Sequence, residues 1–261
     1  MTNARTVKSA REKAAEMRAE AVRKESRRRS ILIAVVVAVV LVIAVGITVV
    51  VRQAQHDKAV AAAQAPSGTP RNVGAGFGLA TGPATTSGGK QRVVVDMYED
   101  FQCPICKQFE ATYGAQLKSW QQAGIVQLVY YPVAFLDRAS TTNYSTRALQ
   151  AAASVQDSSP SSFQAFHDLL YTNQPAERSA GLPDSRLEDL AAQAGANRAD
   201  VASALTSQRF KAWTVQATDA FSKRYTGTPT VLVDGKQQQN LDQLKSAVAA
   251  AASAKGLPAP K

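Results

Sequence analysis

The residues best suited to chemistry in this sequence are Cys103 and Cys106, its only two cysteines, which stand as Cys-Pro-Ile-Cys. An apolar run from Val93 to Val95 predicts a strand before them, and the stretch from Cys103 to about Gln122 predicts a helix. Two thiols at this spacing can close a disulfide across one helical turn. The first lies where unpaired backbone N–H groups and the helix dipole favour a thiolate. The pattern therefore indicates a redox centre.

The net charge of +10 is concentrated at the N-terminus. Residues 1–30 contain ten Lys or Arg and four Glu, so this segment contributes +6 and the remaining 231 residues contribute +4. A basic nucleic-acid-binding face is not indicated by this distribution, and we predict no nucleic acid partner. Residues 1–30 are predicted to form a basic, solvated segment on the cytoplasmic side of a membrane.

A single transmembrane helix is predicted over residues 31–51, an uncharged run of 21 residues. As a helix this run spans about 32 Å, against a hydrocarbon core of roughly 30 Å. Many basic residues precede it and only Arg52 and Lys58 follow closely, which places the N-terminus in the cytoplasm. We expect an uncleaved signal anchor in the membrane lipid, with the catalytic domain extracytoplasmic. A cleavable signal peptide is the alternative, since Ala63-Gln64-Ala65 has the form of a cleavage site.

Other uses of the cysteine pair fit less well. In the chain-entropy model a disulfide across four residues contributes about 2 kcal/mol, against roughly 4.7 for a hundred-residue loop, so it is a poor staple. A structural zinc site needs four ligands, and His56 and His167 have no partners at ligand spacing. Buried reduced thiols are disfavoured outside the cytoplasm. We predict no metal site and no cofactor apart from a redox-active disulfide between Cys103 and Cys106.

Residues 52–75 are predicted to be a flexible linker, because Ala, Gln, Gly, Pro and Ser leave too little apolar surface to fold. The remainder, 76–261, is predicted to form one folded domain. Its strands are expected at Phe77–Ala80, Arg92–Tyr98, Ile125–Tyr131, Thr230–Val233 and Lys236–Gln239, with a hairpin turn at Asp234-Gly235.

Helices are predicted on both sides of the strands and in one long block between them. The order strand, helix, strand around the cysteines predicts parallel pairing. The block, at about 138–225, predicts a helical insertion. The expected helices are Cys103–Gln122, Thr146–Gln156, Ser161–Asn173, Asp184–Ala194, Arg198–Tyr225 with one break, and Leu241–Ala254.

Two motifs resemble the DsbA-like thiol-disulfide oxidoreductases of the thioredoxin superfamily: Phe101-Gln102-Cys103-Pro104-Ile105-Cys106 and Gly227-Thr228-Pro229-Thr230. The order of elements from about residue 77 to 254 is similar as well, since that family interrupts the thioredoxin sheet with a helical insertion. The resemblance implies an α/β, thioredoxin-like fold with a helical insertion, preceded here by a single transmembrane helix and a flexible tether, as in a membrane-anchored bacterial form.

The resemblance also implies the roles of the site residues. Cys103 is expected to be the exposed nucleophile and Cys106 the buried partner that resolves the mixed disulfide. Thr228 and Pro229 look like the cis-proline loop that pairs with an extended client peptide. The residues between the cysteines, Pro104 and Ile105, are expected to tune the active site.

Two positions depart from the family pattern. Met97 stands where many members carry a buried acid six residues before the first cysteine, so proton transfer from Cys106 is expected to use another group or water. Ile105 replaces the histidine of some strongly oxidising members, which leaves the redox potential open.

The remaining conspicuous side chains receive structural interpretations. His167 is expected to pack beside aromatic residues in the helical insertion rather than to act as a general base. Glu99 and Asp100 either cap or tune the active-site helix or are solvated loop carboxylates. Trp120 and Trp213 are assigned to packing.

The leading functional hypothesis is a membrane-anchored disulfide oxidase that introduces disulfides into exported client proteins with thiols. The resemblance implies a membrane reoxidation partner linked to quinone. A disulfide reductase or isomerase of the same fold is the second hypothesis. The third, of another class, is a non-catalytic module that binds extended clients.

Overall fold

The computed structural model describes residues 68–71, 73 and 77–261. The predicted cytoplasmic segment, the predicted transmembrane anchor and most of the predicted linker lie outside these described residues. Within the described residues, no helix is both long enough and apolar enough to cross a membrane.

Five strands form one mixed sheet: β1 (Leu79–Thr81), β2 (Val93–Glu99), β3 (Val126–Pro132), β4 (Thr230–Val233) and β5 (Lys236–Gln237). Their spatial order is β1-β3-β2-β4-β5. The central strands β2 and β3 pair in parallel along their whole lengths, which confirms the predicted parallel pairing. The other neighbours pair antiparallel. Alternate residues of β2 are buried, so one face of the central strand belongs to the core.

Most strand boundaries differ from prediction by one or two residues. The first strand begins at Leu79 because Phe77 has a φ of 73°, which an extended strand does not allow. The second parallel strand runs on through Pro132, which was expected to end it and which pairs with Glu99. The last strand stops at Gln237 rather than Gln239.

The described residues form eight α-helices. The active-site helix consists of α1 (Pro104–Phe109), a π-helical turn (Glu110–Gly114) and α2 (Ala115–Gln122). Between β3 and β4 lie α3 (Tyr144–Ser158), α4 (Phe163–Thr172), α5 (Asp184–Gln193), α6 (Arg198–Thr206) and α7 (Lys211–Ser222), and the last helix is α8 (Leu244–Ala254). Short 3₁₀ turns occur at Asp137–Ala139, Pro160–Ser162 and Leu241–Gln243. The predicted single break in the long helical stretch is confirmed at 207–210, where Gln208 has a φ of 52°.

The π turn was not predicted, and it places an acidic side chain. The Glu110 carboxylate packs over Gly114, where an added Cβ would lie 2.5 Å from Glu110 Oε2. Because glycine has no side chain, the helix can keep this carboxylate close to its own surface. The turn thus matters for the charged groups beside the active site, described below.

Helix α3 is the centre of the helical insertion and contacts α4, α5, α6 and α7. Small residues along it, including Ala148 and Ala151–Ala153, are fully buried and allow the surrounding helices to approach closely. The loop between α4 and α5 packs on the start of this helix, since the Arg147 guanidinium donates to Leu182 O at 2.7 Å. Gly181 in this loop faces the buried ring of Tyr144.

We predict that Gly181→Ala destabilises the domain more than Gly89→Ala. Both glycines have a positive φ, 71° and 77°, so each alanine carries a backbone cost of roughly 1 to 2 kcal/mol. Only at Gly181 would the Cβ meet another side chain, lying 2.3 Å from Tyr144 Cγ, whereas nothing lies within 4 Å at Gly89. The clash is expected to add about 1 to 3 kcal/mol. Urea unfolding of both variants checks this, and equal losses of stability would contradict it.

Candidate active site

Cys103 is the N-cap residue of α1, with extended backbone angles of −75° and 117°. Pro104 takes the first helical position, where its missing N–H group would have had no partner within the helix. The Cys103 N–H donates to Asp100 O at 2.9 Å, and the Lys107 N–H donates to Cys103 O at 3.1 Å. These bonds fix the sulfur beside the free N–H groups of the first helical turn.

The two thiols are free in this structure and have opposite environments. A hydrogen bond from Cys106 lowers the pKa of Cys103 to about 6, with help from Thr228 and from the backbone N–H groups of Ile105 and Cys106, and burial opposes the shift. Burial, the hydrogen bond to Cys103 and the charge of Glu99 raise the pKa of Cys106 well above its ordinary value. At neutral pH the reduced pair therefore carries a thiolate on Cys103 and a thiol on Cys106.

The loop before β4 covers the reactive sulfur. The Thr228–Pro229 peptide bond is cis, as the motif predicts. Cys103 Sγ lies 3.5 Å from Thr228 O. This contact leaves Cys103 only 6% exposed, against 0% for Cys106, so Cys103 is the more accessible of the two but less exposed than expected.

The structure brings the predicted site residues together around Cys103. Thr228 and Pro229 are half-buried, and Pro104 and Ile105 are exposed at the start of α1. Ile105 is 58% exposed and is the one large hydrophobic residue on the surface of the described part of the chain. A peptide that reaches Cys103 would therefore meet an apolar side chain and the backbone before β4.

Asp100 is fully buried and accepts hydrogen bonds from three segments of the chain. The Gln102 N–H donates to Oδ1 at 2.8 Å, the Leu136 N–H donates to Oδ2 at 2.8 Å, and the Ser145 hydroxyl donates to Oδ1 at 2.7 Å. Burial raises the pKa of Asp100 to about 7, although these bonds oppose the shift. The interpretation of this residue as a solvated carboxylate is wrong, because it joins the active-site loop to the helical insertion.

Glu99 is buried as well and forms an ion pair with His167. Its Oε2 atom lies 3.1 Å from His167 Nε2, and His167 Nδ1 lies 3.4 Å from Asp168 Oδ1. Burial disfavours the imidazolium, but hydrogen bonds to Asp168 and Glu99 outweigh it and raise the pKa of His167 to about 10. His167 also contacts aromatic rings, as predicted: Phe101, Tyr130, Phe163 and Tyr171.

A third ionisable group, Glu110 of the π turn, completes this cluster. One potential ligand atom from each of Glu99, Glu110 and His167 lies within 4.8 Å of the other two. Burial and the charge of Glu99 raise the pKa of Glu110 to about 8, while His167 and Lys118 oppose the shift. Sequence spacing did not reveal that His167 pairs with Glu99, because the two residues are 68 positions apart. The absence of a metal stays a prediction, and the protonated imidazole already supplies a positive charge beside Glu99.

Two glutamines that sequence reasoning missed hold the active-site loop in place. The Gln102 side chain donates to Ala176 O at 3.2 Å. The Gln174 side chain donates to Cys103 O at 2.9 Å. Nothing in the sequence signals these contacts, since each joins residues more than 70 positions apart. The two tryptophans, Trp120 and Trp213, are buried, as their assignment to packing requires.

Comparisons with known proteins agree with this geometry. A thioredoxin family model matches residues 88–250. The oxidized DsbA of Mycobacterium tuberculosis is 31% identical, with a TM-score of 0.57, and the match covers 68% of this chain and 99% of that one. The reduced disulfide bond oxidoreductase DsbG of the same organism is 31% identical, with a TM-score of 0.57, and the match covers 71% of this chain and 97% of that one.

A third structure, oxidised BdbD from Bacillus subtilis, is 24% identical with a TM-score of 0.59, covers 72% of this chain and 97% of its own, and supports the fold. No match was found among the curated proteins. The family match spans both cysteines and the cis peptide bond at Pro229. The chain therefore belongs to the DsbA-like thiol-disulfide oxidoreductases of the thioredoxin superfamily.

Proposed function

We propose that this oxidoreductase is a disulfide oxidase, held at the membrane by residues 31–51 with its catalytic domain outside the cytoplasm. The direction of catalysis rests on one observation, the opposite pKa shifts of the two thiols. A thiolate stabilised on Cys103 stabilises the reduced enzyme, so the oxidised enzyme readily gives its disulfide away.

The reaction proceeds in two exchanges. A client thiolate attacks Cys103 Sγ in the oxidised enzyme, the Cys103–Cys106 bond breaks, and Cys106 leaves with the electron pair and takes up a proton. A second client thiolate then attacks the client sulfur of the mixed disulfide. The client disulfide forms, and Cys103 leaves as a thiolate, which its low pKa makes a good leaving group. The client loses two electrons, and the enzyme gains them.

The clients are exported proteins with free thiols, and they bind in extended form. The exposed Ile105 offers an apolar contact two residues after Cys103, and Thr228 O lies 3.5 Å from Cys103 Sγ. A membrane partner reoxidises the reduced pair, and the disulfide itself is the only redox group that the cycle needs.

The alkylation rate of the reduced protein is expected to rise with a midpoint at about pH 6, because only the thiolate of Cys103 reacts. Cys106→Ala removes the hydrogen bond that contributes most to this shift, so the midpoint moves up toward about 8.5. Iodoacetamide kinetics across this pH range measure both midpoints. Cys103→Ser is the control and should not react, and a wild-type midpoint near the ordinary cysteine value would contradict the thiolate.

The redox potential is expected to lie above about −200 mV, whereas a value near that of thioredoxin, about −270 mV, would favour a reductase. Below pH 6 both thiols bind protons on reduction, so the potential falls by about 59 mV per pH unit. Above the Cys103 pKa of about 6, only Cys106 binds a proton on reduction, and the potential falls by only about 30 mV per pH unit. Equilibration with glutathione and thiol trapping measure both quantities.

Substitution of each cysteine separates their roles. Cys103→Ser is expected to abolish oxidation of a reduced client. Cys106→Ala is first converted to a mixed disulfide between Cys103 and glutathione; a client thiolate should then displace glutathione, and client mixed disulfides should accumulate because Cys106 is not there to displace the client. Non-reducing electrophoresis with a reduced, unfolded client distinguishes these outcomes. Full client activity of the double Cys103→Ser, Cys106→Ser variant would support the non-catalytic binding module instead.

A further inference from the structure

The redox cycle of the proposed function requires a proton to reach a thiol that solvent does not contact. Cys106 is fully buried, and its raised pKa means that the thiolate released from the disulfide must be protonated in place. In the reverse step Cys106 must lose that proton before it can attack. A proton path between Cys106 and solvent is therefore part of the chemistry.

A chain of ionisable side chains begins next to Cys106 and ends at the surface. Glu99 lies near Cys106, because a Glu99 oxygen is within 4.8 Å of a Glu110 oxygen and the Glu110 backbone N–H donates to Cys106 O. The charge of Glu99 raises the pKa of the Cys106 thiol. Glu99 is hydrogen-bonded to His167, and His167 contacts Asp168. The exposed fraction of the side chain rises along this chain, from 2% for Glu99 and 1% for His167 to 37% for Asp168.

The inner end of this chain has an unused oxygen. Glu99 Oε2 faces His167, whereas Glu99 Oε1 is buried without a hydrogen-bond partner among the described residues. A carboxylate with one oxygen on an imidazolium and the other free can accept a proton from one neighbour and pass a proton to another.

The outer end opens into a surface recess of about 350 Å³. Asp168 lines this recess and pairs with Lys118 at 2.6 Å. Glu110 lines it too, and its pKa of about 8 means that it holds a proton at neutral pH. The recess is formed by the active-site helix and α4.

We propose that Glu99 and His167 relay the proton between Cys106 and this recess, with Asp168 and Glu110 as its exits. The ionisable groups that face the relay come from every element packed on it: Tyr130 of β3, Tyr171 of α4, Lys118 of α2, and Cys106 and Lys107 of α1. Met97, at the position where the family pattern has an acid, has no titratable group, and Glu99 lies two residues further along the same strand.

Each step conserves protons. When the client thiolate breaks the disulfide, His167 Nε2 gives its proton to the Glu99 carboxylate, and Glu99 then gives a proton to Cys106 Sγ. His167 regains a proton from solvent through Asp168 or Glu110. When Cys106 attacks a mixed disulfide, the same transfers run in reverse, and one proton leaves through the recess.

The test measures ring closure, the attack of Cys106 on a mixed disulfide between Cys103 and glutathione. The full chain in detergent micelles is reduced, mixed with glutathione disulfide and quenched with acid, and the mixed disulfide is counted by mass spectrometry. At neutral pH, Glu99→Gln is expected to slow closure by about 10- to 100-fold, at or below the lower end of general acid–base contributions. Its rate should rise about tenfold per pH unit, because attack then depends on the small thiolate fraction, whereas wild-type closure stays nearly flat.

Asp168→Asn is a second variant, at a partly exposed position. We expect a smaller slowing, because Glu110 remains as an exit. Asp184→Asn is the matched control, since Asp184 is 47% exposed and pairs with Arg147 at 2.7 Å, as Asp168 pairs with Lys118. Its closure should stay within about twofold of wild type.

The outcomes separate the relay from the proposed function. Alkylation of Cys103 should be unchanged in all three variants, since the relay acts on Cys106. If wild-type protein forms no mixed disulfide, the redox function itself fails. If wild type closes normally and Glu99→Gln closes at the same rate with the same pH profile, the relay is refuted and the redox function stands.

Discussion

The active site depends on a single buried carboxylate, that of Asp100. Its two oxygens accept from the backbone of the loop that leads to Cys103, from the backbone after β3 and from a hydroxyl group on α3. These segments are far apart in sequence, and no other contact described above joins all three. A buried carboxylate without such donors would be costly, so the arrangement forms only when the insertion is docked on the sheet. The position of Cys103 at its helix terminus is therefore a property of the whole domain and not of the Cys-Pro-Ile-Cys segment alone.

Local signals predicted the elements that local physics controls. Pro104 after Cys103 marks a helix start, because a proline at the first helical position loses no hydrogen bond. The pair Asp234-Gly235 marks a hairpin, and both residues have the positive φ that such a turn requires. The central strands and the helices of the insertion followed from apolar patterning, and their bounds differ from prediction by only a few residues.

The charged cluster could not be predicted in the same way. Glu99 is the last residue of β2 but follows the predicted strand end at Tyr98, where an acid is usually solvated. Only the docking of α4 places His167 against it. The π turn escaped prediction for a related reason, since its benefit lies in the placement of the Glu110 side chain rather than in the propensity of its residues. Burial and pairing across the chain are tertiary properties, and a single sequence carries no pattern for them. Residues that interact along one element were predictable, and those that meet through the docking of two elements were not.

The outer strands of the sheet have a consequence for a protein that handles unfolded chains. The two edge strands, β1 and β5, are three and two residues long. An isolated β-bridge between Val73 and Leu79 occupies part of the free edge of β1. Long unpaired edge strands would allow unfolded polypeptides to pair with them as additional strands, which leads to aggregation. The two edge strands are short, and β5 carries an exposed lysine, Lys236, so they offer unfolded chains few backbone groups to pair with. The enzyme can therefore meet sticky, incompletely folded polypeptides repeatedly without becoming a template for their assembly.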